Sequence, residues 1–422
     1  MNKFNTVFQK NRTVVDLPEI VFYQEGPVIN SRHFHPNGVK LLNIVNLQCG
    51  EIILNNTDKY ISEEEAYGRY NNFLVDEGDL IIARSGTEVE NLEKKMGFIK
   101  KEHLPLCLNT NTIRFKSLDE SILDIKYFKY FLESNYFKKQ LQRLITTDSV
   151  QIIFNTSCLK EVKVLLPEIN IQKRVVILLD HSEKLINKRK SQIEALDQLT
   201  KSVFFDLFGD PAITKEKYNK ITLIEACENK DDIRCGPLGT QLQAIKFTKS
   251  GIPLWRNRHL NKNFQEPIDE FIPIEKAQKL KPFNLLSGDL VMSRKGVVGK
   301  CAIYPDDFPE GIMHSDLLRI RLNKKIVNPT YLMFQFKFSR DIEQQLLQIS
   351  SGTILQGLNV NKLKEISILI PPKDLQNEFE KLINKIHAQK DILHTSLNEL
   401  TNNYNSLIQM VLKEELIIER NI

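Results

Sequence analysis

The chain has 422 residues, of which 41% are hydrophobic, and its formal net charge is +5. Because domains commonly hold roughly 100–200 residues, this length and apolar content allow two separate cores and exclude a wholly disordered protein. The small positive charge permits an anionic partner without requiring one. The N-terminal segment MNKFNTVFQK contains no apolar signal region, and no aliphatic run approaches the roughly 18–20 residues that span a bilayer. We therefore expect a cytoplasmic protein without a membrane role.

The cysteines give no sign of a metal site. They form neither a C-x-x-C pair nor a His/Cys spacing typical of zinc sites. We expect reduced, mostly buried thiols, as in a cytosolic protein. The six are Cys49, Cys107, Cys158, Cys227, Cys235 and Cys301.

The first part of the chain, from about residue 1 to 160, alternates short apolar runs with turn-forming residues. This texture is typical of strand-rich, mixed structure, and it includes one predicted helix from Leu123 to Leu144. An apolar, strand-like run, VKVLLP at 162–167, follows and is closed by a proline. We therefore predict a first globular domain over residues 1–165.

A long heptad pattern follows that proline. From Val175 to Leu207, seam positions recur at alternating steps of four and three, the a/d spacing of a coiled coil, for more than four heptads. The pattern predicts a central helix within residues 166–210. Its apolar seam positions include Leu179, Ile186, Ile193, Leu196, Val203 and Leu207.

The second half of the chain repeats the plan of the first. Tyr127 recurs as Tyr331 and Gln172 as Gln376, both 204 residues later. A period of this length exceeds the roughly 20–50 residues of solenoid repeats, so it indicates a duplicated module of domain plus helix. A duplicated module suits a target that itself has two parts.

The second copy predicts a domain at 211–370, with a helix from about Asn328 to Gln348, and a C-terminal helix and tail at 371–422. The C-terminal helix has a seam in the same register as the first, with apolar positions Ile383, Ile386, Leu393, Leu397, Leu400 and Leu407. At ~1.5 Å per residue each helix is ~50 Å long, and an antiparallel pair is the simplest closed arrangement. Polar seam residues such as Lys390 would specify which helix pairs with which. Two ordinary core helices, one for each domain, are the alternative.

The order and duplication of these motifs carry a family resemblance. Both halves contain G-D-L followed by R-x-G, in EGDLIIARSG and SGDLVMSRKG, and both place L-K-E-[VI], proline and glutamine before a long helix. The chain resembles the specificity subunits of type I restriction-modification enzymes over nearly its whole length. The resemblance implies an α+β fold: two strand-rich mixed target-recognition domains, related by pseudo-two-fold symmetry and joined by two long antiparallel helices that form a coiled-coil spacer.

The resemblance also implies a non-catalytic role. Each target-recognition domain would bind one half of a bipartite double-stranded DNA sequence, while the helices would set the gap and dock two methylation subunits. The complex would be an adenine-specific DNA methyltransferase and restriction endonuclease. S-adenosylmethionine would be held by the methylation subunits, and ATP and Mg²⁺ would serve the restriction subunits, so this chain would bind no cofactor. Apolar residues beside the seam, Leu178, Leu185 and Leu199, are candidate contacts to partners.

Motifs for catalysis or metal binding are weak. Asn328–Tyr331 lacks the second proline of the [DNS]-P-P-[YFW] methyltransferase loop and is better explained as a capped helix start. Gly296–Lys300 has two residues between its glycines where a phosphate loop has four, and Cys301 follows the lysine. His33 and His35 have no second cluster that would complete a metal site. We expect no catalytic or metal centre, although a DNA-modifying enzyme and a protein scaffold without DNA binding remain alternative classes.

Residues suited to DNA contact concentrate between the strand-like runs. Arginine and lysine bind guanine or phosphate, asparagine and glutamine bind adenine, and small hydroxyls adapt. The candidates in the first domain are Arg32, His33, His35, Arg69, Arg84, Ser85, Lys94, Lys95, Thr147, Ser149 and Gln151. Those in the second are Arg234, Gln241, Gln243, Arg256, Asn257, Arg258, Arg294, Lys295, Lys300, Ser351, Thr353 and Gln356. For each, an ordinary solvated surface residue is the alternative.

The repeat ranks these candidates. Arg84 and Arg294 occupy the same place in both copies, so we predict a role independent of base sequence, such as a phosphate contact or bracing of the loop. Residues that differ between the copies, such as Arg32 and Lys94, are better candidates for base reading. The segment 146–153 lacks the glycine of its counterpart at 350–357, which leaves its geometry open.

Overall fold

The structure is a computed structural model that describes residues 12–55, 57–85, 88–144, 156–209, 217–237, 241–242, 247–294, 299–350 and 358–412. The chain divides into two compact units. Unit 1 contains residues 1–190 and 396–422, and unit 2 contains residues 191–395.

Unit 1 combines short strands with helices, and its largest sheet has four strands. Its described strands are β1 (Arg12–Asp16), β2 (Val21–Glu25), β3 (Val39–Leu42), β4 (Leu47–Gln48), β5 (Glu51–Ile52), β6 (Tyr60–Ile61), β7 (Leu80–Ala83), β8 (Met96–Phe98), β9 (Leu106–Leu108), β10 (Thr112–Ser117) and β11 (Lys163–Pro167). Its helices are α1 (Leu17–Ile20), α2 (Glu63–Tyr67), α3 (Ile125–Glu133), α4 (Asn135–Leu144), α5 (Thr156–Leu159) and the first half of α6 (Ile169–Phe208). The main sheet has the order β2-β10-β7-β8, and the second sheet β6-β3-β9.

Unit 2 has the same texture. Its described strands are β12 (Asn219–Thr222), β13 (Ile233–Cys235), β14 (Ile252–Trp255), β15 (Phe271–Ile272), β16 (Asn284–Leu285), β17 (Leu290–Ser293), β18 (Cys301–Ile303), β19 (Gly311–Met313), β20 (Leu317–Ile320) and β21 (Ser367–Ile370). Its helices are α7 (Asn257–Asn261), α8 (Ile274–Lys279), α9 (Pro329–Phe338), α10 (Arg340–Ser350), α11 (Val360–Lys364) and the first half of α12 (Lys373–Val411). The main sheet has the order β13-β20-β17-β18, and the second sheet β15-β14-β19-β16.

The two units repeat one topology. The inner strand β10 pairs antiparallel with β2 and β7, just as β20 pairs with β13 and β17. In the second sheet β3 pairs in parallel with β9, as β14 does with β19. The predicted α+β class, with two strand-rich mixed domains, is therefore confirmed.

Each unit has two helices where the sequence predicts a single one ahead of the long helix. The prediction of one helix from Leu123 to Leu144 was wrong, because α3 and α4 are separated at Ser134, whose backbone is extended (φ −69°, ψ 150°). Ser134 Oγ accepts a hydrogen bond from Phe137 N–H at 3.2 Å, so this serine ends one helix and caps the next. Ser339 separates α9 from α10 in the same way, within the predicted helix 328–348.

The two long helices run antiparallel. In unit 1, Tyr404 OH on α12 donates a hydrogen bond to Glu183 on α6 at 2.9 Å. In unit 2, Lys390 Nζ on α12 donates to Asp197 on α6 at 2.7 Å. Contacting positions therefore rise along α6 as they fall along α12, which confirms the predicted antiparallel direction.

The buried face of each long helix drifts away from a strict heptad. All the apolar seam positions named above are buried or half-buried, but Phe204 is more buried than the seam residue Val203, and Ile408 more than Leu407. A helix with 3.6 residues per turn drifts by ~20° per heptad against a 3.5-residue repeat. After roughly five heptads the drift reaches about 100°, which is one residue, so the core positions move one place towards the C-terminus.

A polar cluster joins α12 to unit 1. Lys129 Nζ lies 3.1 Å from Glu133 Oε1 and also pairs with Glu183. Tyr404 OH donates to Glu133 Oε2 at 2.8 Å, and Tyr130 OH completes the cluster by contacting Glu183 at 3.2 Å. Burial raises the pKa of Glu133. The charge of Lys129 and the hydrogen bonds from Lys129 and Tyr404 act in the opposite direction and stabilise the buried carboxylate.

The corresponding positions of unit 2 have a different chemistry. Residues 204 places after Lys129, Tyr130, Glu133 and Glu183 are Met333, Phe334, Lys337 and His387. There the His387 ring lies 6.3 Å from the Phe334 ring, and Lys337 Nζ lies 5.6 Å from the same ring. Tyr404 therefore has carboxylate partners in unit 1, Glu133 and Glu183, whereas the corresponding positions of unit 2 carry a lysine and a histidine. This difference favours one pairing of the helix halves.

Candidate nucleic-acid interface

Three chain segments of unit 1 meet where the strands of its two sheets end. We call this the unit 1 strand-end cluster: Asn43 after β3, Arg84 after β7, and the turn Asn109–Asn111 between β9 and β10. Arg84 N–H donates to Asn111 O at 2.7 Å, and Asn109 Nδ2 donates to Asn43 Oδ1 at 2.7 Å. A cleft of about 250 Å³ opens here and is lined in part by Asn43, Thr110 and Asn111. The cluster contains three asparagine amides, of which Asn109 is buried and Asn43 and Asn111 are half-buried. Amides are groups that hydrogen-bond to base edges.

A Gly-Pro pair occurs in both units, at 26–27 and 236–237, and its glycine is explained by a close approach of two backbone segments. A Cβ on Gly26 would lie 2.0 Å from Asn109 O, and one on Gly236 would lie 2.1 Å from His314 O. No side chain fits at either place, so glycine is required in both units. The approach positions the turn after β9 in unit 1 and the turn after β19 in unit 2.

Unit 2 has an equivalent strand-end cluster with charged side chains: Arg256 after β14, Arg294 after β17, and the turn His314–Asp316 between β19 and β20. Arg294 N–H donates to Asp316 O at 2.8 Å, which repeats the Arg84 contact of unit 1. His314 Nδ1 lies 2.8 Å from Asp316 Oδ1. Burial by itself raises the pKa of Asp316, but its hydrogen bond and charge pairing with His314 hold that pKa below the ordinary value.

The predicted role of Arg84 and Arg294 gains a structural context. Both main chains brace the turn of their cluster, and Arg294 Nη1 also donates to Ser315 O at 3.3 Å. The Arg84 side chain pairs with Glu25. A base-independent role remains a prediction, and these contacts favour loop bracing over a phosphate contact.

Acidic partners hold several other predicted arginines. Arg256 donates from Nε and Nη2 to Glu270 Oε2 at 2.8 and 2.7 Å. Arg258 pairs with Asp269, and Arg234 lies 2.9 Å from its carboxylate neighbour Asp231. These pairs fix the directions of the guanidinium groups, which composition alone does not specify.

The remaining described candidates are spread over the surface of each unit. His33 contacts Glu65 at 2.6 Å and His35 lies 4.0 Å from the same carboxylate, so an acidic residue joins the pair. Lys95 donates to a main-chain carbonyl, that of Leu47, at 3.0 Å. Arg32, Arg69, Lys94, Gln241 and Lys300 are exposed, whereas Ser85 and Asn257 are half-buried. Thr147, Ser149, Gln151, Gln243, Lys295, Ser351, Thr353, Gln356 and the segment 296–298 lie outside the described residues.

Sequence reasoning missed the amide cluster of unit 1 and the carboxylate that orients Arg256. Asn43 and the turn Asn109–Asn111 read as ordinary loop formers, and Glu270 is separated from Arg256 by a loop. The signal that was available is the run Asn109, Thr110, Asn111, Thr112 between two apolar strands. Its position matches that of His314–Asp316 in the second copy.

A buried acceptor supports the first residue of each cluster. Asn43 N–H donates to Asn46 Oδ1 at 2.9 Å, and Arg256 N–H donates to His259 Nδ1 at 3.0 Å. Asn46 and His259 are both buried, and each stands three residues after the first residue of its cluster, Asn43 or Arg256. They are therefore equivalent positions, although only the histidine titrates.

We expect the replacement His259→Asn to flatten the acid dependence of unit 2 stability. Burial lowers the pKa of His259 below its ordinary value of 6.5, so the unfolded state takes up the proton more readily. Its contribution is complete above about pH 6.5 and is lost as the pH falls towards the folded-state pKa. Chemical unfolding of both proteins between pH 5 and 7.5 measures the slopes, and equal slopes would contradict this reading. His103 of unit 1 also has a lowered pKa and is common to both proteins.

Neither a metal site nor a membrane-spanning helix is found among the described residues. Among them, no group of three or more His, Cys, Asp or Glu side chains is placed to hold a metal ion. No helix in this part of the chain combines the length and apolar character needed to cross a membrane. All six cysteines are free thiols: Cys107 is buried and Cys49 is exposed. Asn328 caps α9 by accepting hydrogen bonds from Thr330 and Tyr331 N–H, as the capped-helix interpretation of that segment predicts.

Comparison with known proteins identifies the family. Residues 10–195 and 239–402 match the family described as the type I restriction modification DNA specificity domain. The specificity subunit of the type I restriction enzyme MjaVIII from Methanocaldococcus jannaschii is 30% identical over 191 residues, which cover 45% of this chain and 44% of that protein. The chain thus spans less than half the length of that relative. The EcoKI specificity subunit from Escherichia coli is 21% identical over 349 residues, covering 79% of this chain and 73% of the relative.

A solved structure agrees at the level of the fold. The type I restriction-modification S subunit from M. genitalium is 15% identical, with a TM-score of 0.53 and 96% of each chain covered. The matched family segments include most of both halves, and each contains one strand-end cluster or part of it. The chain therefore belongs to the type I restriction-modification DNA specificity family.

Proposed function

We propose that this chain recognises a bipartite double-stranded DNA target and scaffolds the other subunits of a type I restriction-modification complex. The observation that carries the proposal is the paired strand-end clusters. The same backbone framework presents amides in unit 1 and an arginine, a histidine and a carboxylate in unit 2. Different side chains on one framework suit two half-sites of different sequence.

The long helices α6 and α12 have the proposed role of a spacer that sets the gap between the half-sites. In this proposal the chain has no active site of its own. Two methylation subunits hold S-adenosylmethionine and methylate adenine, and restriction subunits use ATP and Mg²⁺. The complex acts on cytoplasmic DNA.

Methylation mapping tests the proposal directly. The chain is co-expressed with the methylation subunits of its system, and N6-methyladenine is mapped across the host genome with and without the chain. We expect one motif of two half-sites with a constant gap, present only when the chain is present. Methylation that is independent of the chain, or methyl transfer by the purified chain alone, would contradict the proposal.

Exposed apolar residues on α6 are the proposed contact to a methylation subunit. Ile177, Leu185 and Leu199 are exposed, and at 100° per residue they lie within about 80° of one another around the helix. Leu178, which the sequence also suggested, is half-buried. An apolar stripe on a helix surface commonly marks an interface.

We expect the double replacement Leu185→Glu and Leu199→Glu to abolish assembly with the methylation subunits. Each change places a charge in an apolar contact, which costs several kcal/mol in total and should lower affinity by more than ~100-fold. Co-purification and sedimentation measure assembly, and circular dichroism checks the fold. Ile274→Glu on α8, at a residue more exposed than either leucine, serves as the control and should leave assembly intact. Normal assembly of the double variant would show that this face of α6 does not contact a methylation subunit.

A further inference from the structure

We infer that Arg256 reads a guanine in the half-site bound by unit 2, through the edge of its guanidinium that carries Nη1. This inference rests on the proposed DNA recognition by the chain and assigns one base to one residue. It is carried by the way in which Arg256 is held, by the place of this residue in the strand-end cluster, and by the different residue at the same place in unit 1.

Arg256 follows a rigid strand. Trp255, the last residue of β14, is fully buried and packs against Phe264 and Tyr304 with ring centroids 5.4 and 5.6 Å away. β14 also pairs in parallel with β19, whose following turn contains His314, and His314 N–H donates to Trp255 O at 2.8 Å. A side chain that leaves such a strand end starts from a fixed point, which base reading requires.

Glu270 occupies one edge of the guanidinium and leaves the other available. Nε and Nη2 of Arg256 both donate to Glu270 Oε2, whereas Nη1 has no hydrogen-bond or ion-pair partner within the described residues. Glu270 is itself fixed, because its main-chain O accepts from Leu254 N–H at 2.9 Å. The carboxylate therefore holds the arginine in one orientation and occupies only part of its hydrogen-bond donors.

An aromatic side chain supports the same group. The Arg256 Cζ atom lies 5.7 Å from the Phe247 ring centroid, and Phe247 is a large exposed apolar residue at 42% exposure. A ring at this distance restricts the guanidinium plane. The Nη1 and Nη2 N–H groups that remain form the two-donor fork that matches O6 and N7 of guanine in the major groove. Adenine offers N7 but places an N–H donor where guanine has O6, so it is rejected.

The equivalent position of unit 1 points to sequence reading rather than a shared structural need. Asn43 stands there, after β3, and its Oδ1 accepts from Asn109 while its Nδ2 donates to Leu41 O at 3.2 Å. If the position served only to bind phosphate or to brace the fold, the two units would be expected to carry similar residues there, not an asparagine in one and an arginine in the other. The arginine and its carboxylate belong to unit 2 alone.

Arg234 provides a matched control within the same unit. It is 28% exposed against 27% for Arg256, its Cζ atom lies 5.7 Å from the Phe283 ring centroid, and it pairs with one carboxylate, Asp231. Arg234 lies within β13 and outside the strand-end cluster. It therefore reports the general effect of removing a stacked, ion-paired arginine from unit 2.

The experiment measures binding of the assembled methylation complex to a duplex library in which each position of the wild-type target is varied. We expect Arg256→Ala to lose discrimination at one G·C base pair of the unit 2 half-site, by about 5- to 150-fold. The unit 1 half-site and the gap should be unchanged. Glu270→Gln should weaken discrimination at that same base pair, because Glu270 orients the arginine without contacting DNA. Arg234→Ala should affect all sequences equally.

The outcomes separate this inference from the proposed function. If Arg256→Ala lowers affinity equally for every sequence and makes the salt dependence shallower, Arg256 contacts phosphate and the inference is wrong. If specificity and affinity are both unchanged, the inference is also wrong. In either case sequence-specific binding by the wild-type complex would leave the proposed function standing. A wild-type complex without any sequence preference would instead defeat the proposed function.

Discussion

Insertion of one heptad into each long helix should lengthen the gap between the two recognised half-sites. Seven residues at ~1.5 Å add ~10.5 Å, which is the rise of about three base pairs at ~3.4 Å. The insertions belong after Lys190 in α6 and after Ser396 in α12, because the antiparallel contacts place these points opposite each other. A heptad keeps the apolar seam in register. We expect unchanged half-sites, loss of the wild-type target and a best gap about three base pairs longer.

A library of duplexes with gaps from one base pair shorter to five longer measures this effect. The library is necessary because three base pairs also turn the duplex by about 100°, so rise and rotation together select the best gap. Insertion into α6 alone serves as the control: it makes the two helices unequal in length, so that their contacts cannot form on both sides of the insertion, and it should abolish specific binding. A double variant that keeps the wild-type gap would show that the helices do not set the spacing.

Replacement of Gln172 with alanine should lower the free energy of unfolding of unit 1 by about 3 kcal/mol. This fully buried side chain accepts from Asp124 N–H at 2.9 Å and donates to Ile122 O and Pro167 O, both at 2.8 Å. Three main-chain groups in a buried or part-buried site would lose their partner, each at a cost of about 1 kcal/mol. Denaturant titration measures the change.

Gln140 is a suitable control for this prediction. Its side chain bonds both main-chain groups of Lys163: Gln140 Nε2 donates to Lys163 O at 2.9 Å, and Lys163 N–H donates to Gln140 Oε1 at 2.8 Å. That site is open to water, which replaces the lost bonds, so Gln140→Ala should cost less than about 1 kcal/mol. Gln376 repeats the buried arrangement in unit 2, where Gln376→Ala should destabilise unit 2 instead. Equal losses for Gln140→Ala and Gln172→Ala would contradict the argument from burial.

The sequence predicted the features that repeat. The constant offset between Tyr127 and Tyr331 reflects a shared contact, since each hydroxyl donates to a carbonyl of the strand that precedes a long helix. The heptad spacing predicted two long helices because apolar periodicity reports which face is buried, and their antiparallel direction was predicted as the simplest closed arrangement of the pair. The heptad pattern did not predict the drift to Phe204, because a strict 3.5-residue repeat does not match the 3.6 residues per turn of an α-helix.

The site was less predictable than the fold. Residue type identified Arg256 as a candidate, but nothing in its immediate sequence indicated Glu270, which approaches only through the pairing of β14 with β15. Ser134 likewise reads as one polar residue in a helical stretch, although its hydroxyl ends the helix. Such features depend on contacts between distant segments, which local sequence patterns do not encode.

Each long helix is divided between the two units, and this division has a consequence for the order in which the units fold during synthesis. Unit 2 uses residues 191–395 only, so every segment that it needs has been translated once residue 395 is made. The core of unit 1, by contrast, includes Ile408, Val411 and Leu412, which are translated after all of unit 2. Unit 1 therefore cannot complete its core until the second half of α12 has been made, and its apolar surface stays exposed until then. Unit 2 can complete its core first, which is the reverse of the usual N-to-C order of domain folding. During that interval the growing chain depends on protection from aggregation.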